Sequence, residues 1–425
     1  MKHFIFASIT FFVLALVAFA NPPGLYDLSF ADEVLRRMNS SATIQVSGGG
    51  DALVSAVASA SNGDIIEIID SETYSGGLDI KNKKDFIIRA ADGARPVVDC
   101  GVLNLGVACL NLNASHDHAI KNLGIKGLIF KNIRFSNSLT AASGHGIASF
   151  SGKILKNVIV MENTFDNSDF LKDESFKGSA IHLNKVDGLL ILKNKIINGA
   201  LNSWTSRQED GAITLHEFII QPNYLKRVFI LNNEITFDYS GSSVSANTRG
   251  IVIAHIGKPT ERFQQVVIAN NLIDNVQKEG IKIFGVSSDP DDDETTEIFN
   301  NVIKRTSDGI EIDGGNVLID KNVFDGQVSY GSEGKDEAID VDGGSVKISN
   351  TIAVNKTYGV MGAAIIDCLN LFNPVTPHPI SESTGLIYNI DPQFISPSTN
   401  NYGIGNPNFP FGCNGESFGI DYSLW

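Results

Sequence analysis

From residue 146 onward the chain repeats one pattern of apolar and polar positions. A small residue is followed by isoleucine, a variable residue and, in most copies, a second branched or leucine residue: GIAS at 146, AIHL at 180, AITL at 212, GIVI at 250, GIKI at 280, GIEI at 309 and AIDV at 338. The spacings are 34, 32, 38, 30, 29 and 29 residues. Alternation over four residues predicts a short strand with one face in a core. A second short strand follows each opening and then an asparagine, at Asn194, Asn233, Asn271, Asn301, Asn322 and Asn350, two residues before a bulky apolar side chain. The gaps are too short and too polar for the amphipathic helices of a doubly wound α/β fold. Repeated strands at a near-fixed period cannot bury their apolar faces singly, but stacked coils can. The predicted fold is therefore all-β: a right-handed parallel β-helix, with the asparagines stacked at a bend and bonding to their copies above and below.

The ends read differently from the repeats. In DALVSAVASASN, residues 51–62, Leu53, Val57 and Ala60 share one face of a short helix stopped by Asn62-Gly63, a cover for the open end of the stack. Seven of the 13 prolines lie in 374–410, so regular coils are expected to give way there to an irregular C-terminal cap. At the very start, Lys2 precedes an apolar run closing on Ala18-Phe19-Ala20, the pattern of a secretory signal peptide cleaved after Ala20. The expected organisation is signal peptide 1–20, leader 21–44, β-helix 45–370, and cap and tail 371–425.

The segment DALVSAVASASNGDIIEIIDSETYSGGLDIKNKKDFIIRAADGARPVVDCG resembles the opening of the pectate-lyase-like right-handed β-helix superfamily. The shared features are an Ala-rich helix, Gly-Asp-x-Ile, a strand ending near Tyr-x-Gly-Gly and an Ile-x-x-Ala-x-x-Gly-like stretch. It is most similar to the alginate- and chondroitin-lyase group, and DPQF at 391 resembles the Asp-Pro-x-Phe where such helices end. The resemblance implies the fold and an activity on polysaccharide. The Trp-x-Asp-His and Arg-x-Pro-x-x-Arg stretches of pectate lyases, the Asn-Thr-Asp-Gly of polygalacturonases and the Asp-Pro-His-Asp of alginate epimerases do not occur.

Composition narrows the partners. A net charge of −15 without a basic block argues against nucleic acid and anionic membranes. A monomer is expected. An acidic polysaccharide remains open as partner if a cation mediates. Four cysteines fit an oxidising compartment, so secretion is expected, to the exterior or to a periplasm; Cys100–Cys109 and Cys368–Cys413 is the local pairing among three possible connectivities. Asn39, Asn113 and Asn355 head glycosylation sequons.

Aligning the repeats stacks chemistry on one outward face. The second position holds Ala148, His182, Thr214, Val252, Lys282, Glu311 and Asp340; the fourth holds Phe150, Asn184, His216, Ala254, Phe284, Asp313 and Asp342. Glu311, Asp313, Asp340 and Asp342 would repel one another across coils about 4.8 Å apart unless a cation such as Ca²⁺ intervened. Solvated acids guarding an exposed sheet are the plainer reading. β-Elimination of a uronate polymer needs a base and a cation against the developing enolate; Lys282 beside Ca²⁺ fits, with Arg249 as carboxylate clamp. His216 would act as acid or base, and His182 and Asn184 would contact sugar. The acidic run DPDDDE at 289–294 reads as a solvated loop. The function expected is thus a secreted Ca²⁺-assisted polysaccharide lyase. The alternatives are an inverting glycoside hydrolase, with carboxyls about 6.5–9.5 Å apart, and a non-catalytic extracellular β-helix that binds glycans.

Overall fold

The structure, a computed structural model, describes residues 28–102, 108–133, 145–149, 152–168, 178–198, 200–201, 211–216, 225–238, 248–254, 264–284, 296–326, 336–373 and 386–420. The predicted signal peptide and the DPDDDE run lie outside the described residues.

The chain folds as a right-handed parallel β-helix with three faces. The repeat-opening strands form the first face, from Leu78–Lys81 through Ile181–Leu183 and Glu279–Phe284 to Tyr358–Gly362. Strands such as Leu155–Met161 and Leu225–Leu231 form the second. The third is a separate 12-stranded sheet from Thr73–Ser75 to Leu386–Tyr388. The first two faces join into a 20-stranded sheet because Asp308–Asp320 and Glu337–Ser349 each run through the corner as one 13-residue strand.

The isoleucines of the repeats stand in register: Ile147, Ile181, Ile213, Ile251, Ile281, Ile310 and Ile339 pair in sequence. All seven are fully buried. Each contributes about 1.5–3 kcal/mol of apolar burial, but only with neighbours above and below. The small residue ahead of each isoleucine has a steric cause. A Cβ at Gly309 would lie 2.3 Å from the Phe324 ring and 2.4 Å from the Ala338 carbonyl, and one at Gly250 2.3 Å from the Gly280 carbonyl.

The asparagine ladder forms as expected over five members. Asn194, Asn233, Asn271 and Asn301 each donate backbone N–H and side-chain Nδ2 to the Oδ1 of the next member, at 2.9–3.0 Å. Two details differ from the expectation. The ladder begins one coil earlier, with Asn163. It also ends at Thr351, whose Oγ1 accepts from the Asn322 N–H, whereas Asn350 stands one residue off and donates to Asp320. Asn350 has φ +44°, so it occupies an outer left-handed corner like Asn270 and Asn300.

Both ends are closed. Helix α1 (Ser29–Met38) falls within the segment expected to be a leader. Its apolar face, Phe30, Val34, Leu35 and Met38, packs on an outward apolar strip of the second face that includes Ile87, Ile159, Leu190 and Phe229. Helix α2 (Ala52–Ser59) buries Leu53 and Val57 at the first coil, with Ala60 just behind it, matching the predicted cover. The cysteines pair locally, Cys100–Cys109 and Cys368–Cys413, and the second bridge ties the cap to the last coils. The third face continues past residue 370 through Leu386–Tyr388, and the cap beyond it carries the hairpin Phe394–Ser396 and Asn401–Ile404.

Candidate functional site

The second-position column is in register, with Ala148, His182, Thr214, Val252, Lys282, Glu311 and Asp340 paired in order. It points away from the helix interior, but it does not face water as expected. Ala148, His182, Thr214 and Val252 have no accessible surface, and Lys282 and Asp340 are only 5 % exposed. Part of the reason lies within the column: its charged members reach along the stack and cover one another as ion pairs.

Lys282 Nζ lies 2.8 Å from Glu311 Oε1 and 3.8 Å from Asp313 Oδ2. Arg249 Nε pairs with Glu279 Oε2 one coil away, and both side chains are 6 % exposed. Asp308 and Glu337, at the openings of the next two coils, are buried against each other, and the Glu337 N–H donates to Asp308 Oδ1 at 3.3 Å. Below them Lys356 is completely enclosed; its ammonium donates to the Thr306 and Ser307 carbonyls and pairs with Asp336 at 3.2 Å. The result is a continuous buried ladder of charge from Arg249 to Lys356.

Burial alone would raise the Glu279 carboxyl, but Arg249 and Lys282 together outweigh it and hold the group at about 2. Asp308 is pushed up to about 8, first by burial and then by sharing a hydrogen bond with Glu337. Glu311 is pushed up to about 9, first by burial and then by Glu279, against the pull of Lys282. Burial lowers Lys356, opposed by Asp336, Asp308 and Glu337. A carboxyl raised in the fold stabilises it below the unfolded value and loses that contribution as pH rises through the folded one; a depressed carboxyl does the reverse. Asp308 and Glu311 therefore favour the fold fully below about pH 4 and lose this by pH 8–9, while Glu279 withdraws its contribution as pH falls through about 2. The expected result, in chelator, is a midpoint of thermal unfolding highest near pH 4–5 and falling steadily toward pH 9. Asp308→Asn should flatten the alkaline arm, measured by circular dichroism across that range.

Two acidic groupings converge. Glu279, Asp308 and Glu311 bring one oxygen each within 4.8 Å of one another, and so do Glu311, Asp313 and Asp342. Asp340, expected to join a metal with the latter three, is not in either grouping. The sequence repeat sets Asp313 over Asp342, but a bulge pairs Asp313 with Gly343, and Asp342 is displaced and exposed. Gly343-Gly344 permits this, since Gly344 sits at φ +91°. Carboxyl oxygens this close leave little room for the water of an inverting hydrolase, which needs carboxyls about 6.5–9.5 Å apart.

His182 lies against His145, ring centroids 4.6 Å apart, and His145 Nδ1 accepts the Ser179 N–H at 3.0 Å. His216 continues the strand Ile213–His216 opposite Ala254; its side chain is outside the described residues. Asn184 is buried, its amide oxygen without a hydrogen-bond partner. His145, Lys356 and Asp336 belong to these buried groups without having been candidates. His145 stands one residue before Ile147's glycine in its own coil, a position that register alone brings beside His182. Of the sequon asparagines, Asn113 is exposed at the end of the first-face strand Ala108–Asn113, Asn39 donates to the Leu35 carbonyl at the end of α1, and Asn355 donates to Asp325.

The fold and this face together define a class, a right-handed parallel β-helix protein with a buried charge ladder. No protein-family model matches the chain, and no curated protein matches it. Among solved structures it is similar to the Streptococcus pneumoniae surface protein and adhesin PfbA, at 14 % identity over 87 % of this chain and 93 % of that one, with a TM-score of 0.48.

Proposed function

We propose that the chain is a non-catalytic extracellular β-helix that presents its first face to glycans, not a lyase. The observation that carries this reading is the state of the two side chains a lyase would use. The Lys282 side chain is 7 % exposed and committed to Glu311 and Asp313, and the Arg249 side chain is 6 % exposed and committed to Glu279. A base needs an open lone pair within reach of a substrate proton, and a clamp needs unpaired guanidinium donors. Using either would mean breaking a buried ion pair, which costs about 3–5 kcal/mol when one partner is left alone.

What the described part of the face offers to solvent is its border, where Asp342 is exposed and Asp313 partly so, beside the accessible backbone of Gly343-Gly344. Carboxylates beside bare backbone suit sugar hydroxyls, which donate to them. An acidic polysaccharide meets the same border only through a cation. The two disulfides support an oxidising, extracellular setting.

The test is a panel of neutral and uronate polysaccharides, each with Ca²⁺ and with chelator. The expected outcome is no ultraviolet absorbance of unsaturated uronate and no new reducing ends, with retention on at least one immobilised glycan that Asp313→Ala/Asp342→Ala removes. An absorbance rise that Lys282→Ala abolishes would overturn this reading in favour of a lyase.

A further inference from the structure

Among the described residues, Lys356 is the one lysine with no accessible surface. It stands two residues ahead of Tyr358, which pairs with Glu337 on the preceding coil. The Tyr358 N–H donates to the Asp336 carbonyl at 2.9 Å, so the backbone fixes Asp336 against Lys356 and Thr357. The Asp336 carboxyl is then held at both oxygens. Its Oδ2 accepts the N–H and the hydroxyl of Thr357 at 2.7 and 2.8 Å, and its Oδ1 accepts from Lys356 Nζ at 3.2 Å. Acyl transfer to an amine needs this arrangement: one carboxyl oxygen held by donors as it gains charge, and a nitrogen beside the other, which leaves.

We propose that Lys356 Nζ and Asp336 Cγ condense to an intramolecular isopeptide bond, a self-formed cross-link between two neighbouring coils near the C-terminal end of the helix. The ion pair is the reactant, and it carries every atom the step needs. One proton passes from the ammonium to Oδ1, leaving a neutral amine and a neutral acid. The Nζ lone pair adds to Cγ, one covalent bond beyond the oxygen it already touches. The charge gathering on Oδ2 is met by the two Thr357 donors. A second proton passes from Nζ to Oδ1, the Cγ–Oδ1 bond breaks, and that oxygen leaves as water. Nothing is oxidised or reduced: an ammonium and a carboxylate become an amide and one water. Burial favours the step three ways. It lowers Lys356 toward the free amine against the pull of Asp336, Asp308 and Glu337, and Asp308, itself pushed up to about 8, is protonated at neutral pH and pulls less. It favours a neutral amide over two enclosed charges. It also keeps away the water that would reverse the reaction. The amide oxygen retains both Thr357 donors, and the amide N–H still has the Thr306 and Ser307 carbonyls as acceptors. The bond would tie together residues 20 apart in the chain. It stands whether or not the face binds glycan.

The experiment is intact mass spectrometry of the full mature protein, made in a host that adds no glycans, then reduced and denatured, followed by peptide mapping. The wild-type chain is expected to be lighter than its sequence by one water, with a branched peptide joining the Asp336 and Lys356 segments. Lys356→Met and Asp336→Ala should each show the full mass of their own sequence. The branched peptide of the wild type decides the matter even where a variant fails to fold. A wild-type chain at full mass, with its Asp336 and Lys356 peptides separate, would overturn the proposal. A water loss that persists in Lys356→Met, or that maps to another residue with these two peptides unlinked, would overturn it equally.

Discussion

Replacing Lys356 by methionine is expected to destabilise the protein by about 3–5 kcal/mol, the range for removing one partner of a buried ion pair. The ammonium is the only described positive charge paired with Asp336, and it also satisfies the Thr306 and Ser307 carbonyls. Methionine fills the space but leaves those oxygens without a donor and a carboxylate buried beside Asp308 and Glu337. Denaturant unfolding would show a lower midpoint at unchanged slope. Adding Asp336→Asn should recover part of the loss, because the stranded charge disappears with it. A double variant whose loss equals the sum of the two single losses would show that the pair is not coupled.

A comparable loss is expected from Asn271→Ala. Its Oδ1 accepts from both the N–H and Nδ2 of Asn233, and its Nδ2 donates to the Ile230 and Ala269 carbonyls and to Asn301 Oδ1. Truncation leaves several of these buried groups unpaired at about 1–3 kcal/mol each, so a total near 3–5 kcal/mol is expected after local relaxation. The same change at Asn350, which lies outside the inner ladder, should cost less. Equal losses at the two positions in parallel denaturation curves would contradict the assignment of the inner ladder.

These features differ in how far the sequence discloses them. The isoleucine column and the asparagines recur at a near-fixed place in most coils, so stacking is legible from period alone. The steric need for Gly309 is not, because it depends on Phe324 arriving from another face. Helix α1 left a signal in the strands it covers. VIVM at 158, LLIL at 189 and VFIL at 228 are apolar on both faces, which a strand with a wet outer side would not be. The column of candidate site residues was legible in its register but not in its burial. Outward direction was read as exposure, whereas the acids and bases of adjacent coils pair along the stack. The displacement of Asp342 was hidden for another reason: two matching DGG sequences predict matching geometry, and the bulge breaks the match only after Ile312. Lys356 carried no pattern at all, being a lone lysine inside a sequon.

Whether Lys282 is part of the frame or part of a catalyst is answered most directly by the stability of Lys282→Met. As a structural member, its loss strands Glu311 and Asp313 beside Glu279, and the unfolding free energy should fall by about 3 kcal/mol with no polysaccharide-cleaving activity to lose. A variant as stable as the wild type or more so, from a parent that cleaves a uronate polymer, would contradict the account and restore Lys282 to an active site.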